Sequence, residues 1–148
     1  MKLSGYLLAA AGATLFTAAA SAAPPPSLPM NRPVTTDGIE AVCTGIGLGD
    51  EDKLRWNAYP LKVVVAGKGG QFLAGETVSV LKDGKTLTAV YCDGPWVLFR
   101  LAPGRYRIDG ALDGGAAGTA VVVPAKGQGR AILRFPDSGG AISPEHKP

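Results

Sequence analysis

Between residues 60 and 135 the sequence is interrupted roughly every ten to twelve residues by a dipeptide that reverses a chain, and the segments between are too short for ordinary helices. Asp83-Gly84 separates Glu76 to Lys82 from Thr86 to Cys92. It is a strong two-residue hairpin signal, because such turns need positive φ and glycine adopts it without steric cost. On the first of these strands Val78 and Val80 share one face, Thr77 and Ser79 the other. Asp93-Gly94-Pro95 leads into Trp96 to Leu101, and Pro103-Gly104 into Tyr106 to Leu112. Asp113-Gly114-Gly115 reads as a loose turn before Thr119 to Val123, and Arg130 to Phe135 is the last strand. Upstream, Glu40 to Thr44 is a short strand, and Leu61 to Ala66 sets Leu61, Val63 and Val65 on one face. Helical character is confined to Gly49 to Trp56, where Asp50 is placed to cap and Lys53 and Arg55 suit the negative end. The pattern predicts an all-β fold, an immunoglobulin-like antiparallel sandwich of seven to eight strands with one short helix near 50–56.

The chain carries two cysteines, Cys43 and Cys92, and an even pair in an oxidising compartment implies a disulfide. A redox pair would sit as C-x-x-C, and a zinc site would want four ligands where two thiols and one histidine are present. The compartment follows from the first residues. Met1-Lys2 is a short positive start, the run from Tyr6 to Ala20 is mostly apolar, and Ala20-Ser21-Ala22 suits a signal peptidase. The expectation is a signal peptide over 1–22 and a periplasmic or secreted mature protein, since the run falls short of the ~20 residues a spanning helix needs. Residues 23–37, with Pro24 to Pro26 at their start, read as an extended, mobile proline-rich leader. Residues 38–135 form the domain, and 136–148 a disordered tail. Removing Lys2 lowers the net charge from +3 to +2, too little to suggest nucleic-acid binding.

One stretch carries a further signal. Asp93-Gly94-Pro95-Trp96-Val97-Leu98 is followed by Leu101-Ala102-Pro103-Gly104-Arg105-Tyr106-Arg107-Ile108. This Gly-Pro-Trp turn followed by Leu-x-Pro-Gly-x-Tyr resembles the carboxypeptidase regulatory-like domains, most closely those borne alone by small exported proteobacterial proteins. The resemblance implies a transthyretin-like (prealbumin-like) sandwich and a docking, folding or binding role without chemistry. Within the motif Leu101 should plug the core, Pro103-Gly104 reverse the chain, and Tyr106 place its ring inward with its hydroxyl on a backbone partner near the turn, a tyrosine corner. Trp96 is expected in the core.

Candidates for chemistry are few. His146 lies in the tail, where nothing holds it within reach of a substrate. No Gly-x-Ser-x-Gly elbow is present. A transthyretin-like fold can be an enzyme, as in the hydroxyisourate hydrolases, but the ordered histidines and the Tyr-Arg-Gly-Ser-type ending of that family are missing. Asp50, Glu51 and Asp52 diverge as neighbours and continue into no calcium loop, and Asp109 and Asp113 bracket a turn. Gly45 to Gly49 lacks the lysine of a phosphate loop. The sequence therefore points away from an enzyme, a metal or a cofactor.

Two surfaces suit recognition. Arg105 and Arg107 alternate with Tyr106 and Ile108, and Arg130 and Arg134 with Ala131, Leu133 and Phe135; in one sheet the four would make a basic stripe, with Arg100 at its margin. Trp56 and Tyr59, in the least regular segment, form a candidate aromatic patch over an open end, and Phe72 is a further aromatic. The expected role is a binding or structural module of the periplasm or cell envelope, its partner an envelope protein or an anionic glycan. The alternative is an inhibitor of an exported hydrolase, inserting the turn at 67–71 or at 114–118.

Overall fold

A computed structural model describes residues 12–13, 23–45 and 49–136. Nearly all of the expected signal segment, residues 46–48 of the glycine-rich connection and the tail from 137, with His146, lie outside the described residues. The described chain is an all-β sandwich of nine strands and one helix: β1 (Val34–Thr36), β2 (Ile39–Thr44), α1 (Asp50–Asn57), β3 (Leu61–Gly67), β4 (Glu76–Lys82), β5 (Lys85–Cys92), β6 (Trp96–Phe99), β7 (Gly104–Leu112), β8 (Gly115–Val123) and β9 (Gly129–Phe135). One sheet has the order β1-β2-β6-β3-β9, the other β5-β4-β7-β8.

The alternation read from the sequence places the core. Val78, Val80, Val90, Tyr106 and Ile108 of the four-stranded sheet meet Leu61, Val63, Val65, Val97, Phe99, Ala131, Leu133 and Phe135 of the five-stranded one, all buried. Gly110 faces this layer, where a Cβ would strike Leu133 and Phe135; the glycine lets β9 close against β7. The disulfide joins Cys43 of β2 to Cys92 of β5, Cα atoms 5.4 Å apart, and so ties one sheet to the other.

Five features depart from the sequence reading. Asp113-Gly114 is a tight turn, not a loose one: its φ values of 46° and 77° match those of Asp83-Gly84, 51° and 77°. The same geometry recurs at Asp37-Gly38, which folds β1 back on β2 and adds a ninth strand ahead of residue 38. The leader is built into the fold. Leu28 is buried in the core, Tyr91 exchanges backbone hydrogen bonds with Pro26 and Leu28, and Asn31 N–H donates to Cys43. One apolar side chain and a few backbone donors suffice to pin a segment whose composition suggests a spacer. Finally, β3 and β9 run parallel, so the sandwich is not wholly antiparallel. Helix α1 forms where expected, but its N-cap is Gly49, without a side-chain cap.

The Leu-x-Pro-Gly-x-Tyr segment behaves as anticipated. Leu101 and Tyr106 are buried, and the Tyr106 hydroxyl donates to the Ala102 carbonyl at 2.8 Å.

Candidate functional site

The four arginines expected to share a stripe do not. Arg105 and Arg107 project from β7 in the four-stranded sheet, Arg130 and Arg134 from β9 in the five-stranded sheet. All four point outward, so the two pairs occupy opposite faces of the sandwich. Period two fixes which way a side chain points from its strand but not which sheet the strand joins.

Trp56 and Tyr59 are not an exposed patch either. Both are buried, packed with Val42 and Leu98 on the outer surface of the five-stranded sheet, at the end of α1. Gln128 donates to the backbone carbonyls of both residues, at 2.9 and 3.0 Å. The Tyr59 hydroxyl donates to Glu40 Oε1, Arg100 stacks 4.6 Å from the Tyr59 ring, and its Nε lies 3.9 Å from the same carboxylate. Burial and the Glu40 carboxylate push the Tyr59 hydroxyl above its ordinary pKa. Covered, with the Tyr59 hydroxyl and the turn carbonyls paired internally, this half of the face is structural, although the Trp56 indole N–H finds no acceptor among the described residues.

The other half of the same outer face is open. Along the sheet, Trp96 of β6, Val64 of β3 and Ile132 of β9 stand in one row, and Lys62 and Arg130 are cross-strand partners beside it. Arg134, opposite Ala66, continues the β9 edge. Beyond the start of β6 the chain at 71–73 lies against the end of β3, where Leu73 N–H donates to Val65 and Phe72 bridges to Ala66. Phe72 therefore reaches the Trp96 ring edge-on, with centroids 5.9 Å apart. Lys62 Nζ sits 3.5 Å from the centre of the Trp96 ring.

Trp96 thus departs from expectation. It is half-buried on the outer face, while Val97 and Phe99 of the same strand enter the core. Its indole N–H is buried without an acceptor among the described residues. Phe72 and Ile132 remain 44% and 38% exposed, large apolar side chains on a surface. Burial and the Arg130 guanidinium hold the Lys62 ammonium below its ordinary pKa. Among the described residues no carboxylate forms an ion pair with Lys62, Arg130 or Arg134. The opposite face is different: Arg107 Nε donates to Asp109 Oδ1 at 2.8 Å.

Sequence reasoning gave Arg130 and Arg134 but missed Lys62 and Ile132, and named Phe72 without a place. Part of the signal for Lys62 was available: period two sets it on the side of β3 away from Leu61, Val63 and Val65. Its pairing with β6 was not.

The proposed inserting elements are closed. Gly67 N–H donates to the Gln71 carbonyl and Gly70 N–H to Gly67, while residues 115–118 belong to β8. Among the described residues no group of three or more His, Cys, Asp or Glu side chains could hold a metal, and no helix is long and apolar enough to cross a membrane. No family model matches this sequence, and no characterised protein matches it.

Proposed function

We propose that this chain is a non-catalytic, exported β-sandwich module of the periplasm or cell envelope that recognises a partner through the open half of the five-stranded sheet's outer face. The reading extends the resemblance to carboxypeptidase regulatory-like domains, in which the sandwich serves docking or binding. The observation that carries it is the meeting of exposed Phe72 and Ile132 with Lys62, Arg130 and Arg134, three cations that form no ion pair among the described residues, beside a half-buried tryptophan. Aromatic residues and arginine concentrate where proteins bind partners. Crowded like charges destabilise the free surface, and a ligand of opposite charge relieves that strain.

Affinity capture from periplasmic extract tests the proposal, with the wild-type domain beside the double variant Arg130→Glu, Arg134→Glu. A discrete species held by the first and lost from the second supports it. Capture that ignores both substitutions, or a hydrolytic activity in the isolated domain, contradicts it.

A further inference from the structure

The occupant's chemistry can be read from what the face offers. Its polar groups are almost all donors: the Lys62 ammonium, two guanidiniums and the unpartnered Trp96 indole N–H. Acceptors are spoken for. Asn31 Oδ1 accepts from the buried Thr44 hydroxyl at 2.7 Å, and Glu40 is held by Tyr59 and Arg100. A sugar surface carries hydroxyls that donate as well as accept, so an acceptor-poor site leaves half of them unsatisfied. A polypeptide segment presents carboxylates that only accept, next to apolar side chains that match Phe72 and Ile132. The spacing is also that of a polypeptide. Arg130, Ile132 and Arg134 follow one another at alternate positions along β9, so the two guanidinium-bearing positions lie about 13 Å apart with an apolar residue midway.

We infer that the face binds an extended acidic polypeptide segment in which two carboxylates, four residues apart, flank an apolar residue. This rests on the proposed binding role of the same face. The carboxylates meet Arg130 and Arg134, with Lys62 beside the first, and the apolar side chain covers Ile132 and the Phe72 edge.

The test uses the whole mature chain carrying Trp56→Phe, which leaves Trp96 as the fluorescent reporter; the Trp56 indole N–H has no partner to lose. The probes are a short peptide containing Glu-Ser-Leu-Ser-Glu, its rearrangement Glu-Glu-Leu-Ser-Ser, trigalacturonate, and phosphatidylglycerol vesicles. Labelled-peptide anisotropy on the chain without Trp56→Phe runs alongside, so an unstable variant does not decide the outcome. The expected result is a Trp96 change with the first peptide, at least roughly tenfold tighter than with the second, and lost by a similar factor in Arg130→Glu, Arg134→Glu but not in Arg105→Glu, Arg107→Glu. Equal binding of the two peptides, or tighter binding of trigalacturonate or vesicles, overturns the polypeptide segment while leaving the face as a binding site. Silence from every probe, with extract capture still sensitive to the β9 charge reversals, likewise overturns only the segment. Silence together with insensitive capture overturns both.

Discussion

On the four-stranded sheet Arg107 lies flat against β8 and donates to Asp109, and Gly118 opposite leaves the room that a Cβ would take from both side chains. Along β8 that surface is small: Ala116, Ala120 and Val122 alternate outward. On the five-stranded sheet Lys62, Arg130 and Arg134 surround Trp96, Phe72 and Ile132, with no acid among the described residues paired to them. Both faces are basic; among the described residues Arg107 has its acid on the first, while Lys62, Arg130 and Arg134 form no ion pair on the second. The difference teaches that counting arginines along a sequence does not find a site; what matters is whether the fold brings each one its counter-charge.

That comparison holds only while the two sheets stay locked together, so the largest effects come from whatever loosens the lock. Glu76 begins β4 with its side chain in the buried layer, paired in register with Cys92, and neither carboxyl oxygen has a hydrogen-bond partner among the described residues. Burial, with Asp93 adding to it, raises its pKa from 4.5 to about 8. The folded protein keeps a proton that the unfolded chain gives up, so this contribution is intact below the unfolded value and is lost as pH climbs through the folded one. Chemical denaturation across that window should show stability falling by up to about 5 kcal/mol, at ~1.4 kcal/mol per pH unit. Glu76→Gln should flatten the decline; a variant that keeps the full slope would place the titration elsewhere. Reducing the Cys43–Cys92 bridge should cost somewhat less, about 4 kcal/mol on the chain-entropy model. A melting temperature unchanged by reduction would mean the sheets hold without it.

Tyr106→Phe removes one satisfied hydroxyl from the same layer and should cost about 1 kcal/mol in thermal melts. The smallest effect is the sharpest control. Arg105→Ser with Arg107→Ser should leave both stability and partner capture within about the usual surface range of ±0.5 kcal/mol; a lost partner would reverse the roles of the two faces.

Local rules recovered much of the architecture. Asp83-Gly84 and Pro103-Gly104 marked strand ends because φ preferences act within a few residues, and Cys43 and Cys92 form the disulfide expected of an even pair. Asp37-Gly38 carried the same hairpin signal but stood beside a proline-rich stretch, whose composition suggested a spacer. What stayed hidden was long-range. Nothing in the alternation of Arg130 to Phe135 says that β9 lies beside β3 instead of β7, and on that pairing depended whether four arginines formed one surface or two. Trp96 turned outward for a related reason. Val97 and Phe99 already filled the inward positions of a four-residue strand, so period two left the tryptophan on the other side.

The most direct test places a photo-crosslinking phenylalanine analogue at Phe72 on one face, and separately at Val122, 61% exposed on the other, in cells that export the chain. A discrete covalent adduct from position 72 and none from 122 is the predicted result. Adducts from 122 alone, or the same adduct from both, would contradict the assignment of recognition to the five-stranded sheet.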